Sequence, residues 1–350
     1  MSLVSRIPSA LSFGAEPPGV ALHFPSASDL SRSGAGALTG LALLVCGSTL
    51  AQVVPETAVT QLQHAIGSRI EALTILGGDY ASAGGIYTFR GGRLADLSMV
   101  KIGGGGDVTS ASPLGLGGVE WAPVLEGNLG NLSAENQFQT GYLKGNGAHF
   151  DTAVVQGGAG VRFYFTENLS LAPTLSGIYG HTENEFHAGN ALGQGIKTVA
   201  GGILVDYQVD TWSVAPALDF RYTWHWSRST FLFSSRYGFF HTESFNSSSP
   251  LVTLAGDSHT WENKIDVDVP VGLKTFGREW HTGGFFSRTE LFGNAAAGLN
   301  SSQAYTANAR FVLDFEGKFL KVRWLGLGVS YVWGTDFSGW TTGVDLSFKL

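Results

Sequence analysis

The sequence predicts an all-β fold, a closed antiparallel transmembrane β-barrel of about twelve strands within a range of roughly ten to fourteen, with one N-terminal helix in or near the lumen. Three observations predict it. Long segments alternate apolar and polar residues with period two. Charged side chains keep to one face of those segments. An apolar leader stands ahead of them, and no other stretch reaches the ~20 apolar residues of a spanning helix. A mature chain that crosses a membrane must therefore cross as strands.

Composition agrees. Charged residues are 14% of the 350, against roughly 25% in soluble globular chains. Glycine contributes 49 residues, about double its usual share of ~7%. Aromatics reach 12%. Few charges, much glycine and many rings suit a wall with lipid on one side and a crowded lumen on the other. The net charge is −7 with no basic run, which argues against nucleic acid as a partner. The single cysteine, Cys46, lies inside the leader, so the mature part has no disulfide framework and no Cys-ligated metal.

The leader begins with Arg32 and an apolar stretch over 36–45. Small residues up to Ala51 place cleavage near 51/52, the pattern of a signal peptide. Lipid modification of Cys46 fits less well because Val45 precedes it, and a retained anchor helix fits less well because Gly, Ser, Thr and Gln interrupt it. The chain thus divides into a leader over 1–51, a helix and linker over 52–79, and a barrel over 80–350. Within the second part, Val59, Leu62, Ile66, Ile70 and Leu73 recur at helical spacing, so Pro55 to Leu73 is the one good helix.

The clearest strand is Thr211–Trp226, with Trp212, Val214, Leu218, Phe220, Tyr222 and Trp224 on one face and Ser213, Asp219, Arg221 and Thr223 on the other. Tyr305–Glu316 and Arg323–Trp333 alternate similarly, as do 153–166, 169–181, 196–209, 229–241, 259–273 and 283–293. Many approach the length of a tilted membrane strand. The polar face carries Arg162, Asp206, Asp219, Arg221, Arg236, Glu262, Lys264, Asp266, Arg288, Glu290, Arg310 and Asp314, with Asp268 and Glu316 on the same side. We expect the first twelve to line the lumen, as a salt-bridged interior or a weakly selective pore. A cationic side chain facing lipid at the midplane costs ~2–4 kcal/mol, which explains the exclusion. Aromatics near strand ends, such as Phe163, Tyr164, Phe165, Trp224, Trp226, Tyr331 and Trp333, suit interfacial girdles. The glycines at 157–160 and 201–202 fall inside expected strands, where they allow curvature and room for inner side chains. One conflict stands: the turns at Glu167-Asn168 and Val209-Asp210 look periplasmic, yet counting back from the C-terminus puts them outside.

The last strand, Trp340–Leu350, sets Leu346, Phe348 and Leu350 on one face. Thr341, Gly343, Leu346 and Phe348 resemble the assembly signal of outer-membrane barrels, although the chain ends on Leu350 where an aromatic is usual. Helix first and strands after, with no passenger ahead, the mature chain resembles the solitary outer-membrane autotransporter-type barrels. That resemblance implies a twelve-stranded barrel, a helix in or near the pore, the Gram-negative outer membrane as location, and outer-membrane lipid and the barrel-assembly machinery as partners. It supplies no functional residues.

Candidate chemistry is sparse. His181-Thr-Glu183 and His241-Thr-Glu243 repeat one motif, and His259 lies near another strand end. Imidazole and carboxylate at one rim could serve a hydrolase, but no compact metal-ligand spacing occurs, and solvated loop residues are the plainer reading. Gly103–Gly106 with Asp107 lacks the ending and the strand-to-helix context of a phosphate loop and reads as a flexible turn. We therefore expect no catalytic residues, no cofactor and no metal, and a structural or pore role with small solutes as candidate cargo. A rim hydrolase and a soluble secreted β-sandwich or adhesin are the alternatives.

Overall fold

The computed structural model describes residues 56–78, 85–90, 97–108, 112–113, 118–137, 144–203, 205–249, 251–319, 322–335 and 337–348. The expected leader and its cleavage point lie outside the described residues.

Helix α1 spans Glu56–Gly78, running past the expected end at Leu73. The strands follow as β1 (Gly85–Arg90), β2 (Leu97–Asp107), β3 (Ser112–Pro113), β4 (Glu120–Gln137), β5 (Gly147–Tyr164) and β6 (Leu169–His187). Then come β7 (Tyr207–Trp226), β8 (Ser229–Ser247), β9 (Ala255–Thr275) and β10 (Arg278–Gly293). The chain ends with β11 (Gln303–Phe319), β12 (Val322–Gly334) and β13 (Ser338–Phe348). Helix α2 (Ala191–Ala200) joins β6 to β7, and α3 (Asn294–Leu299) joins β10 to β11.

All the pairings between the named strands are antiparallel. From β4 onward each strand pairs with the next, β13 pairs with β1, β1 with β2, and β2 with β4. Apart from the two-residue β3, no described strand is left with an unpaired edge. A sheet that curls back in this way leaves no row of open backbone groups to template aggregation or to sit unsatisfied in lipid.

The two faces of the sheet are inverted relative to a soluble domain. On β6, Ser170, Thr174, Ser176, Thr182 and Asn184 are buried, while the alternate residues Leu175 and Tyr179 are 57% and 44% exposed. Val100, Ile102, Leu125, Leu129, Val155, Val214, Leu218, Ile265, Phe311 and Leu327 are likewise exposed. A soluble sandwich turns its apolar face inward. This wall turns it outward, which removes the sandwich expectation.

The two ends of the wall also differ. At one end the connections are short: 165–168, Ser227-Arg228 and Phe276-Gly277. Phe276 and Gly277 both have positive φ, 53° and 74°, as a two-residue hairpin with matching twist requires. At the other end β4 leads to β5, β6 to β7, β8 to β9 and β10 to β11 by longer connections, two of which carry helices, and the three-residue link from β12 to β13 is the exception. β13 finishes at the short-turn end.

Several expectations need correction. The segment 196–209 is not a strand. Leu192, Ile196 and Ala200 recur at helical spacing and pack against Phe186 and Val205, and Asn190 caps α2 by accepting from the Gly193 backbone N–H at 2.8 Å. Val209-Asp210 therefore sits inside β7 and is no turn, and the count of strand directions closes. Gly201 and Gly202 fall in the loop after α2. Gly103–Gly106 is strand, part of β2, and not a flexible turn.

Candidate functional site

Helix α1 lies against the inner face, the one opposite the exposed apolar side chains. Leu73 and Ile75 share an apolar cluster with Leu97, Met99, Leu132, Val154, Ile178 and Phe240 of the strands. Ile70 packs with Tyr207, Val209, Val252 and Leu254. Gly77 and Gly78 meet Leu132, Val154 and Ile178 so closely that an added methyl would overlap them.

Polar groups fix the helix at two levels. At its C-terminus the carbonyls lack intrahelical partners. Lys101 Nζ donates to the Leu76 carbonyl at 3.3 Å, and Asn128 Nδ2 donates to that of Gly77. Lys101 is only 1% exposed. A cation at a helix C-terminus is favoured by the macrodipole as well as by the hydrogen bond. Two turns back, Glu71 accepts from Ser258 Oγ and from Asn294 Nδ2, the latter at 2.9 Å. Burial pushes the Glu71 carboxyl above the usual carboxylate range, against the pull of those two donors. Gly298 of α3 sits against Ser68 and Ala72, where only a glycine lets the two helices approach.

Beyond the helix C-terminus, toward the short-turn end, the inner face becomes charged. Arg162 bridges β2 and β7: its Nε donates to Asp107 at 3.1 Å and its Nη2 to Asp219 at 3.0 Å. Arg221 pairs with Asp219 at 2.8 Å, and Tyr164 donates to Asp107. Arg236 on β8 reaches Glu126 on β4 at 3.3 Å. Arg310 holds Asp266 with two bonds of 2.6 and 2.8 Å, and Lys264 lies over the Phe285 ring. Glu262 stands opposite Arg236 in register, and Asp314 shares the inner face of β11 with Arg310.

Three expected lumen residues lie elsewhere. Asp206 is not in a strand; it precedes β7 at φ 57°, accepts from the Phe186 N–H and pairs with Lys197 at 3.5 Å. Arg288 and Glu290 face outward on β10 as an ion pair of 2.6 Å, sharing that face with the exposed Phe286 and Phe292. The buried neighbours Ser287 and Leu291 hold the inner positions.

The rim histidines are brought together, but on the outer face at the long-loop end. His181 contacts Asp210 at 2.6 Å and Glu183 at 3.2 Å; His241 contacts Asp257 at 2.7 Å and Glu243 at 3.2 Å. In both, the aspartate stands directly opposite the histidine on the next strand. The intervening Thr182 and Thr242 point inward, buried. His259 meets Tyr237 Oη at 2.6 Å. His149 lies on the same side with Asp151 at 3.0 Å. The repeated His-Thr-Glu motif is thus part of an ionisable collar over β5–β9, next to Trp212 and Trp261. Over β10–β13 the same side carries an aromatic group instead, in which Phe286, Tyr305 and Tyr331 meet Trp333 and Trp340 packs on Tyr331. Among the described residues no group of three or more His, Cys, Asp or Glu is arranged to hold a metal.

Residues 115–344 match the family described as solitary outer membrane autotransporter beta-barrel domain, well over half of the chain. The chain belongs to that family. Solved autotransporter barrels are similar to this autotransporter-type outer-membrane barrel. The transport unit of the autotransporter AIDA-I from Escherichia coli has 9% identity and a TM-score of 0.50, covering 81% of this chain and 99% of its own. The β domain of the Bordetella autotransporter BrkA has 13% identity and a TM-score of 0.45, covering 76% and 100%. The NalP translocator domain from Neisseria meningitidis has 11% identity and a TM-score of 0.41, covering 83% and 98%. No curated protein matches the chain.

For this autotransporter-type barrel, sequence reasoning missed the residues that seat the helix, Lys101, Asn128, Glu71, Ser258 and Asn294, and the half-buried Asp107 and buried Glu126. An alternating Leu97, Met99, Lys101 was readable, but the glycine run after it concealed the strand. In the final strand, Gly343 pairs with Gly328, Leu346 with Leu325 and Phe348 with Val322.

Proposed function

We propose that the protein is a closed twelve-stranded outer-membrane barrel whose lumen is a small-solute pathway held shut by α1. The observation that carries this reading is the seat of the helix: wall side chains cap its last carbonyls and a wall serine meets its buried carboxylate. The long-loop end then faces outward and the short-turn end faces the periplasm, the side on which β13 finishes. A signal peptide removed near 51/52 accounts for export, the barrel-assembly machinery for insertion through β13, and outer-membrane lipid covers the exposed apolar belt. The test is direct. The folded protein should migrate differently before and after heating, and should conduct little in planar bilayers until α1 is loosened by Leu73→Ala in the full chain. A freely conducting unaltered protein would remove the plug, and a protein recovered folded and soluble without detergent would remove the barrel.

The rim-hydrolase reading has less support. Ser133 Oγ lies 3.4 Å from His149 and Asp151 lies 3.0 Å from it, but both approach the same nitrogen, Nε2. A general base takes the hydroxyl proton on one nitrogen while the carboxylate steadies the other. We read the collar as the headgroup-level border of the apolar belt.

A further inference from the structure

We infer that Glu126 and Arg236 set the ion selectivity of the lumen past α1; this rests on the pore reading above. Glu126 is on β4 and Arg236 on β8, so their contact passes over the inner faces of β5, β6 and β7. Most other inner ion pairs join strands two apart or closer. The pair stands directly past the helix. Asn128, which caps the Gly77 carbonyl, is the inner residue next to Glu126 along β4. With α1 seated the pair is covered, Glu126 at 1% and Arg236 at 11% side-chain exposure; an ion admitted once α1 is loosened meets it next.

The wall is shaped for it. Gly158 stands opposite Glu126, and a methyl group there would overlap Ser176 and Glu126. The missing side chain lets Ser176 donate to Glu126 Oε1, the same oxygen that Arg236 reaches. The second carboxylate oxygen, Oε2, is buried and has no hydrogen-bond partner among the described residues. Gln156 Oε1 and Thr174 Oγ1, on neighbouring inner positions of β5 and β6, are also buried without partners. A desolvated acceptor left open in this way is costly. It becomes favourable when a hydrated or partly hydrated cation passes. The guanidinium beside it offers the matching site for an anion. As a balanced pair the two select weakly; loss of either shifts the local balance toward the other's sign, with Arg236 keeping Glu262 opposite it on β9, and low dielectric makes that shift count.

The experiment uses the full chain carrying Leu73→Ala, in planar bilayers across a potassium chloride gradient, alone and with Glu126→Gln, Arg236→Gln or both. Glu126→Gln should move the reversal potential toward anion preference and Arg236→Gln toward cation preference, each changing the permeability ratio severalfold. The double variant should return near the parent. Heat-modifiable migration of every variant checks that each is folded. Currents whose selectivity neither substitution moves, or that both move in one direction, would overturn the assignment and leave the pore reading standing. Folded protein with no current in any form would overturn the pore reading, and the assignment with it.

Discussion

Lys101 Nζ lies 3.3 Å from the carbonyl oxygen of Leu76, so a buried ammonium on β2 closes the C-terminus of a helix from which it is separated by 25 positions in the chain. Wall and helix are joined by a charge on a dipole. Replacing Lys101 with Ala should loosen α1 by about 1–3 kcal/mol, the scale of a buried acceptor left open plus a lost helix-end cation. Limited proteolysis within 56–78 on the membrane-inserted protein reads this directly, and the strand ladder should stay intact.

Glu71 links the helix to pH. Burial raises its folded-state carboxyl above the ordinary value. A raised carboxyl contributes stability that is fully present below the ordinary value of about 4.3 and is lost as pH rises through the folded value. Helix docking should therefore tighten on acidification from neutral pH. Asp257 and His241 also act on Glu71 through their charges, so the control is Glu71→Gln, which should flatten the dependence in a protease-protection series.

Asp219 accepts from both Arg162 and Arg221, and its side chain is 6% exposed. Asp219→Ala leaves Arg162, itself buried, with Asp107 as its carboxylate partner and the Ser170 hydroxyl. Removing one partner of a buried pair costs roughly 3–5 kcal/mol. Urea unfolding in detergent should show a loss of that order, and Asp219→Ala with Arg162→Met should lose less than the sum of the two.

Leu327 is 70% exposed on the outer face, opposite Phe311 and Val344 in the ladder. With lipid around it, Leu327→Arg should cost up to ~2–4 kcal/mol, according to its depth. The same substitution at a water-exposed site would be nearly neutral. Folding yield into vesicles, read by heat-modifiable migration, separates the two.

Much of the wall was legible because period two survives any uncertainty about strand ends. Val214, Leu218 and Tyr222 were bound to share a face, and Asp219 and Arg221 the other. Failures came where polarity stops reporting direction. Beyond the apolar belt a charge is tolerated on either face, so Arg288 and Glu290 looked like lumen residues and point outward. Ile196–Val199 is too short for helix and strand periods to part, and the deciding signal, Asn190 ahead of Leu192, is local cap chemistry. Contacts such as Glu126 with Arg236 join residues far apart in the chain, and no pattern along one sequence encodes them.

Strand β1 has six residues, while its fellow wall strands β4 to β9 have 18 to 21. It is nevertheless the piece that ties β13 to β2, from Ile86 opposite Thr342 to Arg90 opposite Ser338. The ring thus has one short clasp, made from the first strand of the wall and the last. Mechanical or thermal opening should start there, and amide exchange along β13 should outpace exchange in β5 and β6, whose ladders run nearly their whole length on both sides.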